Sequence, residues 1–266
     1  MENLEKAVAK LKISTGHLPI VVFANWAYRE VLQNWLEGMR RLRLDQELIV
    51  ALDEQTYQLV VDRGHRSVFV PFEGNLSGLW KLRMNVFKLM LDQSIDFIHS
   101  DADAVWLRNP IPEFITPYPD TDLLISQGTI WPPEAYRSWG FVLCCGLFCM
   151  RSTPAMQSLL ATLAEHVETT GDDQVSLNKV LLAKGITWEI PQPVIRLRIG
   201  TQQFTTSQQV ITGTAGKHTV GVLPFRFFPR ISHTDNTPYV SHPLTPKKAE
   251  AKKKVLQECG AWLLGR

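Results

Sequence analysis

A chain of 266 residues, 45% of them hydrophobic, is long enough to bury a full core. Its 28 basic and 26 acidic residues nearly cancel, which argues against general nucleic-acid binding, and no apolar run reaches the ~18 residues of a membrane-spanning helix. The four cysteines, Cys144, Cys145, Cys149 and Cys259, lack metal-finger spacing, and three share one apolar run; they read as small buried hydrophobes of a reducing compartment, not as a disulfide framework.

Met1 to Lys12 alternates charged and apolar residues like a helix and carries no apolar signal core, which points to a cytoplasmic protein. Pro19 to Phe23 is β-branched and reads as the first strand, with Ala24 and Asn25 at its end. A helix follows from about Tyr28 to Arg43, with Val31, Leu32, Trp35, Leu36 and Met39 on one stripe. Glu47 to Leu52 is a second strand ending in Asp53, Glu54 to Arg63 a helix stopped by Gly64, and Ser67 to Phe72 a third strand. Leu79, Leu82, Val86, Leu89 and Met90 recur at helical spacing, and Ile95 to Ile98 reads as a short buried strand. This alternation predicts an α/β fold with a largely parallel sheet and helices on both faces.

The strand at Ile98 leads into His99-Ser100-Asp101-Ala102-Asp103-Ala104-Val105-Trp106-Leu107-Arg108-Asn109-Pro110. Ligands of open α/β sheets collect beyond the carboxyl ends of strands. At strand spacing Asp101 and Asp103 point the same way, with Ala102 turned to the other face. Two hard oxygen ligands suit Mg²⁺ or Mn²⁺, which can hold a diphosphate. An Asp-rich surface turn is the plainer alternative.

Beyond Pro110 the pattern is less regular. Asp122 to Ser126 is a short strand, and Trp131, Tyr136 and Trp139 surround a Pro132-Pro133 loop. They could form an aromatic platform or pack in the core. Phe141 to Met150 is an apolar run interrupted by Gly146. Thr153-Pro154 starts a helix through about Glu168, and Gly171-Asp172-Asp173-Gln174 opens another over Val175 to Ala183. Acidic residues at a helix start favour the macrodipole, and Asp172 fits a capping role. Gln209 to Thr212 and Thr219 to Leu223 suggest antiparallel ribbon with the residues that precede them, and about Pro246 to Leu264 a lysine-rich helix. His242, alone between Ser241 and Pro243, reads on its own as a structural histidine, with metal ligation the alternative.

These features together resemble the nucleotide-diphospho-sugar transferase domain, the DXD-containing GT-A glycosyltransferases of glycosyltransferase family 77. Val21 to Asn25 with Asn34-Trp35-Leu36 is similar to the family's opening, and Ser100 to Pro110 to its most specific motif. Cys145-Gly146-Leu147-Phe148 with Arg151-Ser152-Thr153, and Asp172-Asp173-Gln174 with Asn178, match the two motifs that follow. Ser241-His242-Pro243 with Lys248 is similar to the closing histidine-to-lysine element of retaining members, whereas Cys145 stands where relatives often carry Asn. The resemblance implies a GT-A fold: a Rossmann-like, mostly parallel sheet flanked by helices, with a small antiparallel ribbon in the C-terminal half. It implies one domain over 1–266, with a nucleotide-binding half at 1–110 and an acceptor and sugar half at 111–266 that carries the metal-binding His and the last helix.

It also implies roles. Asp103 and His242 would bind Mn²⁺ or Mg²⁺, with Asp101 sharing the ion or holding the ribose. Lys248 would contact the diphosphate, and Ala24, Asn25 and Asp53 the uridine. Arg83 would approach the donor, and Asp173 and Gln174 would lie near the anomeric carbon. The implied reaction moves galactose, xylose or arabinose from UDP to a glycan, glycolipid or other hydroxyl acceptor with retained configuration. The C-terminal lysines suggest peripheral contact with the inner face of a membrane. A haloacid-dehalogenase-type phosphohydrolase fits less well, because its nucleophile strand comes near the N-terminus. A sugar nucleotidyltransferase would need a glycine-rich phosphate loop that Pro19 to Tyr28 lacks, and a non-catalytic binding module would scatter the acidic clusters over the surface.

Overall fold

The computed structural model describes residues 5, 6, 8, 18–231, 237–244 and 248–265. In chain order its strands are β1 (Ile20–Ala24), β2 (Glu47–Ala51), β3 (Ser67–Phe69), β4 (Phe97–Ser100), β5 (Val105–Trp106), β6 (Leu123–Gln127), β7 (Leu143–Met150), β8 (Thr187–Glu189), β9 (Ile195–Ile199), β10 (Gln202–Thr206), β11 (Ile211–Ala215), β12 (His218–Leu223) and β13 (Val240–Ser241). The helices are α1 (Arg29–Leu42), α2 (Glu54–Val61), α3 (Leu76–Asp92), α4 (Pro133–Trp139), α5 (Pro154–Thr170), α6 (Asp173–Ala183) and α7 (Ala249–Glu258). No helix among the described residues is long and apolar enough to cross a membrane. The expected N-terminal helix falls almost wholly outside the described residues.

The chain falls into two compact units. One comprises 1–73, 97–110 and 227–266, and the other 74–96 and 111–226. His242 and α7 therefore belong with Asp101 and Asp103, whereas the sequence reading grouped them with the half at 111–266.

In the first unit β3, β2, β1 and β4 form a parallel sheet in that order. Ile20, Val21 and Val22 of β1 and Ile49 and Val50 of β2 are fully buried, as expected of parallel strands covered on both faces. Helix α1 buries Val31, Leu32, Trp35, Leu36 and Met39, the stripe read from the sequence, and ends at Arg43 in the left-handed region. Gly38 lies on that buried face because a Cβ there would meet the Trp106 carbonyl oxygen at 2.8 Å. A short antiparallel ribbon pairs β13 with β5, matching Val240 to Trp106 and Ser241 to Val105. Val105 also packs with Leu256, Cys259, Ala261, Trp262 and Leu263, which closes the C-terminal segment onto the unit.

The second unit orders its strands β7-β6-β12-β11-β8. β12 runs parallel to β6, whereas β6/β7, β11/β12 and β11/β8 are antiparallel. Of the antiparallel pairing expected of Gln209 to Thr212 and Thr219 to Leu223 with preceding residues, β11 pairs with the earlier β8, and β11 and β12 also pair with each other as a hairpin. Helices α5 and α6 begin at side-chain caps: Thr153 Oγ1 accepts from Met156 N at 3.0 Å, and Asp172 Oδ1 from Val175 N at 2.8 Å.

Three local expectations change. Asp101 to Asp103 form a turn, closed by Ala104 N donating to Asp101 O at 2.9 Å, and β4 stops at Ser100, so the alternation assumed for a strand does not apply. The C-terminal helix ends at Glu258, because Gly260 takes φ +68 and turns Trp262 and Leu263 into the core as an irregular segment. Of its expected start, Pro246 and Lys247 lie outside the described residues. The β9/β10 ribbon was not anticipated.

Candidate functional site

In the first unit, the ends of β1, β2 and β4 carry the polar residues picked out from the sequence. Ser100, the last residue of β4, is fully buried, and its Oγ accepts from Trp35 Nε1 at 3.0 Å and Trp106 Nε1 at 3.2 Å. The two indoles hold both arms of the Asp101–Asp103 turn. The β5/β13 ribbon does the rest: one step past Ser241, which pairs with Val105, the chain reaches His242 beside Asp103. His242 Nε2 lies 3.6 Å from Asp103 Oδ1 and 3.8 Å from Asp101 Oδ2. Donor atoms of Asp101, Asp103 and His242 all fall within 4.8 Å of one another. Two carboxylates and an imidazole are a donor set for Mn²⁺ or Mg²⁺, so the residues fit a divalent ion.

Partners around this triad fix its members. His242 is buried, and its carbonyl accepts from Arg230 Nη1 at 2.7 Å. His99, also buried, has Nε2 3.2 Å from Asp101 Oδ1 and Nδ1 3.1 Å from the Val21 carbonyl. Lys252, on α7, ion-pairs with Asp103 Oδ2. Burial pushes the Asp103 carboxyl up, but His242 and Lys252 outweigh it and hold the group well below the usual carboxylate range. Burial raises the nearby Tyr28 phenol above its ordinary value; Lys252 pulls it down, and Asp103 and Asp101 push it up.

The other nucleotide-side candidates lie at the strand ends as expected. Ala24, at the end of β1, is buried, and its carbonyl accepts from Leu52 N at 2.9 Å. Asp53 caps α2, accepting from Thr56 N at 2.8 Å and from Trp26 N at 2.7 Å. Burial opposes ionisation of Asp53, but these hydrogen bonds win and its pKa is lowered. Asn25 Oδ1 is shielded from solvent and has no hydrogen-bond partner among the described residues. Lys248 is exposed at the start of α7. Thus Asp101, Asp103 and His242 come together, while the lysine found against them is Lys252, one helical turn beyond Lys248.

The second unit holds the remaining candidates. Arg83, on α3, and Asp173, in the first turn of α6, have side chains only 3% and 7% exposed, with Arg83 Nη2 3.3 Å from Asp173 Oδ2. The same nitrogen donates to the Cys145 carbonyl at 2.8 Å, and Trp80 lies 4.7 Å from the guanidinium carbon. Burial pushes the Cys145 thiol well up, which leaves it a packing group, not a nucleophile. Gln174 Nε2 donates to the Trp131 carbonyl at 3.0 Å, so this side chain fastens a loop. Asn178 makes two hydrogen bonds to the backbone of Leu143 and pins β7 to α6. The three aromatics divide: Trp139 packs on Trp188 and Phe141, the Tyr136 hydroxyl donates to the Gln203 carbonyl, and Trp131 is 61% exposed.

Sequence reasoning missed His99, Ser100 and Lys252. Lys252 had a signal, since residues four apart share a helix face and Lys248 was already singled out. The partners of His99 and Ser100 have no sequence signature.

A family model for nucleotide-diphospho-sugar transferases matches residues 43–242. The chain is similar to the beta-arabinofuranosyltransferase RAY1 of Arabidopsis thaliana, 24% identical over 180 residues, 62% of this chain and 33% of that protein. It is also similar to the arabinosyltransferase XEG113 of the same plant, 22% identical over 227 residues, 79% of this chain and 33% of that protein. The chain thus spans about a third of the length of these curated relatives. Among solved structures, the galactosyltransferase LgtC in complex with donor and acceptor sugar analogs gives a TM-score of 0.54 at 15% identity, covering 94% of this chain and 98% of that one. At that identity the likeness is one of fold.

Proposed function

Because the chain belongs to the nucleotide-diphospho-sugar transferase family, we propose that it is a divalent-metal-dependent retaining glycosyltransferase using a UDP-sugar. Its α/β fold is that of the GT-A glycosyltransferases, as the likeness to LgtC indicates. The observation that carries the metal-dependent reading is the convergence of Asp101, Asp103 and His242 on one point, although His242 comes from the far end of the chain. A haloacid-dehalogenase reading loses support here, since β1, β2 and β3 all precede the strand that leads into Asp101.

Asp101, Asp103 and His242 would hold Mn²⁺ or Mg²⁺, which when bound supplies positive charge to a departing diphosphate. Lys248, exposed at the start of α7, would add a second positive charge there. Ala24, Asn25 and Asp53 would receive the uridine. On the sugar side we assign Asp173 a charge-stabilising role, with Arg83 holding its carboxylate in one orientation. Gln174 would act by positioning the Trp131 loop, and the exposed Trp131 offers an aromatic face for the ring of a glycan acceptor.

The names of the two plant relatives favour an arabinose donor, with galactose and xylose as the other candidates. The acceptor would be a glycan, glycolipid or other hydroxyl compound. Four buried free thiols support a reducing, cytoplasmic location. Peripheral membrane contact through α7 draws less support than the sequence suggested, since Lys252 is engaged by Asp103 and Lys253 by Glu30 at 2.7 Å. A panel of UDP-arabinose, UDP-xylose and UDP-galactose, assayed for UDP release with Mn²⁺ and with EDTA, tests the reading. Release from one donor above the others, abolished by EDTA, is expected; EDTA-insensitive release would refute metal dependence.

A further inference from the structure

Lys252 occupies a position with a consequence for the metal site. Its ammonium sits on Asp103 Oδ2, while Oδ1 of the same carboxylate faces His242. Both partners are mostly buried, so the charge-assisted contact is only weakly screened by water. The lysine is also delivered by a helix that is held in place. Asn34 Nδ2 donates to the Ala261 carbonyl at 3.0 Å, and Asn34 Oδ1 accepts from Leu263 N at 2.5 Å. Arg41 Nη2 donates to the Leu263 carbonyl at 2.7 Å, and Lys253 pairs with Glu30. With the backbone of α7 fixed beyond Lys252, the ammonium can leave Asp103 only by rotation of its own four-carbon stem.

A carboxylate that coordinates a divalent ion cannot keep an ammonium on the same oxygens at full strength, and the two cations repel each other at contact distance. We propose that Lys252 competes with the divalent ion for Asp103, so that metal entry requires the ammonium to swing off the carboxylate. The Tyr28 phenol lies near enough to be acted on by Lys252, Asp103 and Asp101 together. Once displaced, the ammonium can donate to a diphosphate oxygen, which makes a bound diphosphate favour metal entry and the metal favour the diphosphate. This inference rests on the metal site of the proposed function, but its subject is how tightly that site binds its ion.

The test is Mn²⁺ binding, read from the electron paramagnetic resonance signal of free Mn²⁺, alone and with saturating UDP. Losing a charge-assisted contact of this kind corresponds to about one unit in log affinity. Lys252→Met is therefore expected to bind Mn²⁺ alone about tenfold more tightly than the parent and to gain less from UDP. Lys252→Gln, which keeps much of the length without the charge, should do the same. Lys252→Arg should stay near the parent, and Lys253→Met, which loses the Glu30 pair, should match the parent within about twofold. A parent that binds no Mn²⁺ alongside a Lys252→Met chain that does would support the inference in its strongest form. Equal affinity in parent, Lys252→Met and Lys252→Gln would overturn it while leaving the metal site standing. No Mn²⁺ binding by any variant would overturn both.

Discussion

The two units each bury a carboxylate against a cation, and they do so in different ways. In the second unit Arg83 meets Asp173 one to one, backed by Trp80 and the Cys145 carbonyl, with both side chains almost fully enclosed. In the first, two carboxylates and an imidazole crowd around a flexible lysine, and Asp101 is still 29% exposed. One arrangement carries its cation permanently, on a planar group with fixed geometry. The other has two carboxylates for its one lysine, a cation proposed above to be exchangeable. The contrast separates a pair that sets a side-chain orientation from a cluster that, on the proposed reading, takes up a divalent ion.

The largest expected effect comes from breaking the permanent pair. Arg83→Met leaves Asp173 buried without its partner, and uncompensated buried charge costs about 3–5 kcal/mol. Asp103→Asn should also destabilise, through loss of the His242 and Lys252 contacts that favour the carboxylate, but by less than Arg83→Met, because the Lys252 ammonium can turn on its four-carbon stem toward water or the partly exposed Asp101. Chemical denaturation of the two variants measures both. Equal losses would erase the distinction between the units.

Next in size is the effect of Asp173 on turnover. As positive charge develops on the sugar, a nearby carboxylate is worth several kcal/mol, and each ~1.4 kcal/mol lost slows the step about tenfold. Asp173→Asn, which keeps a hydrogen-bonding group for Arg83, should hold UDP affinity within about threefold while donor turnover falls by roughly 10². Asp172→Asn should only loosen the α6 cap, at a cost on the order of 1 kcal/mol. Calorimetric UDP binding and hydrolysis rates, scaled to the folded fraction, decide it. A dead Asp172→Asn beside an active Asp173→Asn would reverse the assignment.

A smaller effect probes how the first unit aims its carboxylates. Gly38→Ala brings a methyl group against the Trp106 carbonyl and must shift β5, the strand that follows the Asp101–Asp103 turn. Overpacking of this kind costs about 1–3 kcal/mol. Mn²⁺ affinity should fall with it, whereas a stability loss with unchanged Mn²⁺ affinity would show that the turn is held without β5.

Much of this was legible in the sequence. The buried strands, the α1 stripe, the cap at Asp172 and the acidic strand end at Asp101 each carry a local pattern, either periodicity or a residue type with a backbone preference. The triad did not follow from spacing. It depends on the register of a ribbon only two residues long on each side, and the family resemblance, not periodicity, pointed to His242. Lys252 was hidden among equivalent lysines, since nothing in a charge run says which member turns inward. Arg83 and Gln174 were expected near the donor; their partners, Asp173 and the Trp131 carbonyl, lie far along the chain and leave no mark in the sequence. The β9/β10 ribbon was passed over although Ile195-Arg196-Leu197-Arg198-Ile199 alternates cleanly and the Gly200-Thr201 pair that follows, with glycine first at φ +58, is a two-residue hairpin signal.

Asp101, Asp103 and His242 are proposed to hold a divalent ion that in turn holds UDP. Calorimetric titration of UDP into the parent, Asp103→Ala and His242→Ala, in Mn²⁺ and in EDTA, tests it most directly. The parent should bind UDP at least about tenfold more tightly with Mn²⁺, a gain of ~1.4 kcal/mol that both variants lose while matching the parent in EDTA. Equal UDP affinity of the parent with and without Mn²⁺ would contradict it.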